Sequence, residues 1–174
     1  MQASAIPSKK PLWIKLVATV LALAIALAAY FSLFARQTAP DVTFSSLTGE
    51  QITMQSLRGK VVVVNFWATS CVTCVKEMPA LVQTYEKYKG QGLDLIAVAM
   101  NYDPPNYVVN FAQTRQLPFT VALDHTGQVA HSFNDVKLTP TTYVIGKDGQ
   151  IIKRYVGEPD FAAFHQLIEK ALAA

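Results

Sequence analysis

Residues 61–74 read Val-Val-Val-Val-Asn-Phe-Trp-Ala-Thr-Ser-Cys-Val-Thr-Cys. The first seven are β-branched or aromatic apart from Asn65. Such a run has the pattern of a strand buried on both faces, as at the centre of an α/β sheet. The pair Cys71 and Cys74 then stands where that strand hands over to a helix. Residues 76–89 place Met78, Leu81, Val82, Tyr85 and Tyr88 at helical spacing, with Pro79 inside and Gly90 and Gly92 at the end. The proline predicts a kink and the glycines a stop.

Working outward, residues 93–100 form a second apolar run, and residues 105–115 a helix with Val108, Val109 and Phe111 inward. Residues 119–123 read as a third strand, followed by the turn Asp124-His125-Thr126-Gly127 and a short helical segment at 128–133. Residues 142–145 and 151–156 make a hairpin around Lys147-Asp148-Gly149-Gln150. Asp160 is placed to cap a final helix whose apolar face carries Phe161, Phe164, Leu167, Ile168 and Leu172. Upstream, residues 42–57 fit a small hairpin turning at Thr48-Gly49-Glu50. Strands alternating with helices and closing on a hairpin and helix predict an α/β fold, with a mixed sheet covered by helices on both faces.

The segment 16–35 carries no charge. A helix needs about 20 apolar residues to cross a hydrocarbon core of roughly 30 Å. Lys9, Lys10 and Lys15 precede the segment and only Arg36 closely follows it, so the positive-inside bias keeps the N-terminus in the cytoplasm. The chain thus divides into a cytoplasmic N-terminus (1–15), a transmembrane signal-anchor helix (16–35), a polar linker with Pro40 (36–41) and one exported domain (42–174). A cleaved signal peptide is the rival reading, since Ala26-Leu27-Ala28 resembles a small-residue cleavage site. The net charge of +3 is modest and much of it is N-terminal. No basic stripe interleaved with aromatics points to nucleic acid.

The chain has two cysteines. A disulfide between Cys71 and Cys74 closes too short a loop to stabilise much by restricting the unfolded chain, so reactivity explains the pair better. Cys71 at a helix N-terminus meets unpaired N–H groups and the positive dipole end, which favour a thiolate and make it the nucleophile. Cys74, one turn on, is the resolving thiol. Structural zinc needs four ligands, and His125, His131 and His165 are scattered. Two thiolates with one imidazole leave a copper site open.

Residues 61–81 together with Leu138-Thr139-Pro140-Thr141 and the following 142–157 resemble the TlpA/ResA/CcmG group of thioredoxin-like, membrane-tethered bacterial thiol-disulfide oxidoreductases. The resemblance covers nearly all of residues 41–172. It implies a thioredoxin-like domain behind one N-terminal transmembrane helix, in the inner membrane with the domain on the periplasmic side. It also implies an exposed nucleophile at Cys71, a buried partner at Cys74, and a cis proline at Pro140 that presents the backbone of Thr139 to an extended substrate. Glu77 matches an acid that this group commonly keeps near the dithiol, where it would raise thiol pKa values and relay a proton. An exposed first-turn glutamate that favours the helix dipole is the alternative. Trp67 is expected beside the active site, as a substrate contact or a core residue.

Three positions depart from the group or from plain thioredoxin: Ser70 replaces a tryptophan, Val72-Thr73 lacks the usual proline, and Asn65 stands where thioredoxin has an aspartate. Uncharged Val72 and Thr73, with Glu77 nearby, favour the disulfide form and hence a reductant. The resemblance implies a DsbD/CcdA-type membrane electron donor and an oxidised exported protein, such as apocytochrome c, as acceptor. No cofactor is expected beyond the Cys71–Cys74 disulfide. A peroxiredoxin-like peroxidase and a Sco-like copper chaperone are the alternatives.

Overall fold

The computed structural model describes residues 12–34 and 37–174. They fall into two units, one ending at Arg36 and one running Gln37–Ala174. In the first, helix α1 spans Leu12–Phe34, with side chains described at 13–27 and 30. That described stretch is short of a span, and among the described residues no helix is long and apolar enough to cross a membrane. Most of the expected cytoplasmic segment, and Ala35 and Arg36, lie outside the described residues. The span at 16–35 therefore stays a reading of the sequence.

The second unit begins earlier than the expected linker allows. Ala39 N–H donates to the Gly149 carbonyl at 2.9 Å and Ile151 N–H to the Gln37 carbonyl at 2.7 Å, and Ala39 is buried. Residues 37–39 thus pair with the later hairpin instead of forming a free tether. Strands β1 (Thr43–Ser45) and β2 (Gln51–Thr53) make the small antiparallel hairpin. A 3₁₀ turn at Met54–Leu57 follows.

The main sheet contains β3 (Val61–Trp67), β4 (Leu93–Ala99), β5 (Thr120–Leu123), β6 (Thr141–Ile145) and β7 (Ile151–Val156), in the order β5-β4-β3-β6-β7. β4 is parallel to β3 and β5, β6 is antiparallel to β3, and β7 is antiparallel to β6. β3 is buried along its whole length. The two-residue period of a strand sorts its side chains. Val61, Val63 and Trp67 join one core with Cys74, Met78, Leu81, Tyr88, Phe164 and Ile168. Val62, Val64 and Phe66 join the other, with Phe44, Met54, Leu57, Phe133 and Tyr143. β7 is one of the two edges, and its exposed Lys153 and Arg154 discourage further pairing.

Helix α2 spans Val72–Tyr88, α3 Pro105–Thr114, α4 Gln128–Ser132 and α5 Phe161–Ala173. α2 and α5 pack on the first core and α4 on the second, so helices cover both faces. α5 is capped as expected: Asp160 accepts from the N–H groups of Ala162 and Ala163 at 2.9 and 3.0 Å. α2 starts four residues before the apolar spacing announced it, because its first turn buries only Cys74 and its cap is a cysteine. The helix continues through Pro79, whose missing N–H removes one rung of the ladder.

Candidate active site

Three loops meet at one end of the sheet. β3 and β4 run parallel with Trp67 opposite Ala99, while antiparallel β6 begins with Thr141 opposite Phe66. The segments after β3, after β4 and before β6 therefore share that end. They carry Cys71, Tyr102-Asp103 and Thr139-Pro140.

Cys71 is the N-cap of α2, with extended φ and ψ of −88° and 105°. Its Sγ accepts the Cys74 N–H at 3.2 Å, a bond that Ser, Thr, Asp or Asn makes at most helix starts. The same N–H, with the helix dipole, would hold a Cys71 thiolate after reduction. Cys71 and Cys74 are joined as a disulfide with Cα atoms 5.2 Å apart. Cys71 is half-buried and Cys74 fully buried, so a partner reaches only the Cys71 sulfur. Between them Val72 is 84% exposed, an apolar side chain presented beside the reacting sulfur.

Glu77 lies one turn beyond Cys74 on the same face of α2. It is 1% exposed, which excludes the reading of a solvated first-turn glutamate. Asn65, the polar break in β3, donates from Nδ2 to Glu77 Oε1 at 3.0 Å and to Thr142 Oγ1 at 2.9 Å. Burial pushes the carboxyl up to about 7, against the Asn65 bond, which favours the charged form, and with a smaller upward push from Glu158. Oε2 has no protein partner. This acid is neutral or charged at little cost near neutral pH, as a proton relay requires.

The Thr139–Pro140 peptide is cis, as the resemblance implies. Pro140 is buried and its carbonyl accepts Gly157 N–H at 2.8 Å. Thr139 is half-buried. Trp67 requires a correction: it is fully buried and packs against Phe111 in a tilted arrangement with ring centroids 5.1 Å apart. A side chain with no exposed surface makes no contact with a substrate protein, and Trp67 is a core residue under the loop.

Two further residues hold the loops, and neither was singled out in the sequence. Asp103 is buried and accepts from Thr69 N–H and Thr69 Oγ1–H, each at 2.6 Å. Tyr102 Oη lies 3.3 Å from Thr139 Oγ1. Asp103 stands just before α3, where a carboxylate serves the dipole in most helices, so its position in the chain carries no sign of Thr69. The histidines lie apart from the dithiol in sequence and in partners. His165 pairs with Thr84 Oγ1 at 2.8 Å, His131 sits 3.7 Å from Asp135, and His125 is in the turn after β5. Among the described residues no group of three or more His, Cys, Asp or Glu is placed to hold a metal ion.

The sequence profile of the Redoxin family matches residues 34–168. The chain belongs to the Redoxin family. The thiol-disulfide oxidoreductase ResA of Bacillus thuringiensis subsp. konkukian is 35% identical over 133 residues, covering 76% of this chain and 75% of ResA. A solution structure of a Neisseria meningitidis protein described as a thioredoxin superposes with a TM-score of 0.74 at 39% identity, over 79% of this chain and 91% of that one. A Chlorobium tepidum protein described as the thiol:disulfide interchange protein DsbE gives 0.71 at 32% identity, over 79% and 96%. This Redoxin-family chain is a thiol-disulfide oxidoreductase of the ResA/DsbE kind, and Cys71-Val72-Thr73-Cys74 is its redox pair.

Proposed function

We propose that the chain is a membrane-tethered, extracytoplasmic reductant of protein disulfides, fed by a DsbD/CcdA-type membrane electron carrier and acting on exported dithiol proteins such as apocytochrome c. The observation that carries the direction of transfer is Glu77, buried on α2 one turn from Cys74 and titrating at about 7. A carboxylate there raises the free energy of a neighbouring thiolate, and the uncharged Val72-Thr73 pair offers it no compensation. Both effects favour the disulfide form and therefore electron donation.

In the forward reaction the Cys71 thiolate attacks one sulfur of the oxidised partner. The partner's second sulfur leaves as a thiolate and takes a proton from water, which leaves a mixed disulfide. Cys74 then gives its proton to Glu77 and attacks Cys71 Sγ. The Cys71–Cys74 bond forms, and the partner's first sulfur departs and is protonated in turn. Two electrons pass to the partner, its two protons come from water, and the Cys74 proton is left on Glu77. A donor dithiol restores Cys71 and Cys74 by the reverse exchange.

The tether rests on α1. The run 16–35 is uncharged and mostly apolar, as a helix bathed in lipid requires. Thr19 Oγ1 donates to the Lys15 carbonyl at 2.9 Å, which satisfies its hydroxyl within the helix. The deciding measurement is the reduction potential of the full chain in detergent, equilibrated against glutathione and dithiothreitol couples. A value of roughly −240 mV or lower is expected. A value near the DsbA level, about −120 mV, would replace the reductant with an oxidant.

A further inference from the structure

We infer that the dipeptide Tyr102-Asp103 positions the Cys71 loop and the Thr139 loop as the two walls of a substrate groove and thereby selects extended, apolar-flanked disulfide segments. This rests on the reading of the chain as a protein-disulfide reductant. In the sheet β3 lies between β4 and β6. Tyr102, carried after β4, reaches Thr139 before β6, so their bond passes over the end of β3, the strand that leads into Cys71. The neighbouring residue holds the other wall. Both carboxylate oxygens of Asp103 are taken up by Thr69, two residues before Cys71. Asp103 is itself tied down, its N–H donating to the Met100 carbonyl at 2.9 Å, while Met100 N–H donates to the Trp67 carbonyl at 3.0 Å.

The two attachments differ in stiffness. Asp103 is 4% exposed and makes two short bonds, one of them to backbone, whereas Tyr102 is 55% exposed and makes one longer bond. The dithiol wall is therefore fixed, and the Thr139 wall yields to the occupant. The rim is uncharged: Val72, Tyr102 and Leu138 are exposed at 84%, 55% and 65%. Nearby, Lys76 pairs with Glu158 at 3.0 Å and Lys137 with Asp135 at 2.9 Å, while Arg115 lines a pocket with Thr69. Such side chains suit a cystine flanked by aliphatic or aromatic residues.

The test compares three substrates of the reduced full chain in detergent. The first is a synthetic peptide with an internal Cys-x-x-Cys disulfide flanked by Leu and Phe, and the second is the same peptide flanked by Asp and Glu. The third is 5,5′-dithiobis(2-nitrobenzoate), too small to span the groove. Tyr102→Phe should lower the ratio of peptide to small-disulfide rate about fivefold, the worth of one neutral hydrogen bond, through KM more than kcat. Adding Thr139→Val should lower it no further, because both changes delete the same bond. Asp103→Ala should lower the ratio more; if that variant does not fold, Thr69→Val, which drops only the hydroxyl bond, should shift it in the same direction. An unchanged ratio, multiplying effects of Tyr102→Phe and Thr139→Val, or equal rates for acid-flanked and apolar-flanked peptides would overturn the inference. A parent protein that reduces none of these substrates would remove the reductant reading and the inference together.

Discussion

Asn65 and Glu77 face each other across the interface of β3 and α2, joined by one bond of 3.0 Å from Asn65 Nδ2 to Glu77 Oε1. Two buried oxygens of the pair, Asn65 Oδ1 and Glu77 Oε2, have no protein partner. The pair is thus half satisfied, and it sits one helical turn below the resolving cysteine.

The first consequence is a pH-dependent stability with a definite sign. Glu77 is raised from 4.5 to about 7 in the folded protein. Below 4.5 both states hold the proton. Between 4.5 and 7 the unfolded chain ionises first, so stability falls as pH rises through that window and levels off above it. The loss is on the order of 3 kcal/mol. Glu77→Gln keeps the Asn65 bond and removes this slope. Urea unfolding of the oxidised proteins at pH 4, 6 and 8 should show the variant gaining on its parent by about that amount; a constant gap would refute it.

Asn65→Leu should push Glu77 further up, since it deletes the bond that favours the carboxylate. If Glu77 accepts the Cys74 proton, the pH midpoint of the resolving step moves above its parent value. Single-turnover release of peptide from the mixed disulfide, followed from pH 5 to 9, measures this. A midpoint that stays in place separates Glu77 from the proton transfer.

The two sulfurs should behave differently. Cys71→Ser abolishes attack, because Cys74 is fully buried. Cys74→Ser leaves the nucleophile and accumulates a covalent adduct of about one peptide per chain, as the exchange mechanism requires. Mass spectrometry under non-reducing conditions reads both. Adduct formation in Cys71→Ser would reverse the assignment.

Stability and docking separate along α2. Leu81 is fully buried between α2 and the sheet, and Leu81→Ala should cost about 2–5 kcal/mol through lost burial and a residual cavity. Val72 is 84% exposed, so Val72→Ser should change stability by about 0.5 kcal/mol or less while slowing the reaction with an apolar-flanked peptide. Urea denaturation and peptide kinetics on both variants check the contrast.

Local features of the chain determined the architecture. The β-branched run ending in Trp67, the turn at Thr48-Gly49-Glu50, the Lys147–Gln150 hairpin and the Asp160 cap each rest on backbone preference or periodicity within a few residues. The strand-to-helix placement of Cys71 and Cys74 was legible for the same reason. Only tertiary structure decided what surrounds the dithiol. The burial of Glu77 depends on which face of α2 meets Asn65 on β3, and Trp67 became a core residue because Phe111 of α3 covers it. Residues 37–39 joined the domain by pairing with a hairpin more than a hundred positions away in sequence. Asp103 and Tyr102 hold partners that the chain brings near only when three strands align at one end of the sheet. A side chain's environment is set by residues distant in sequence, and spacing along the chain does not encode that distance.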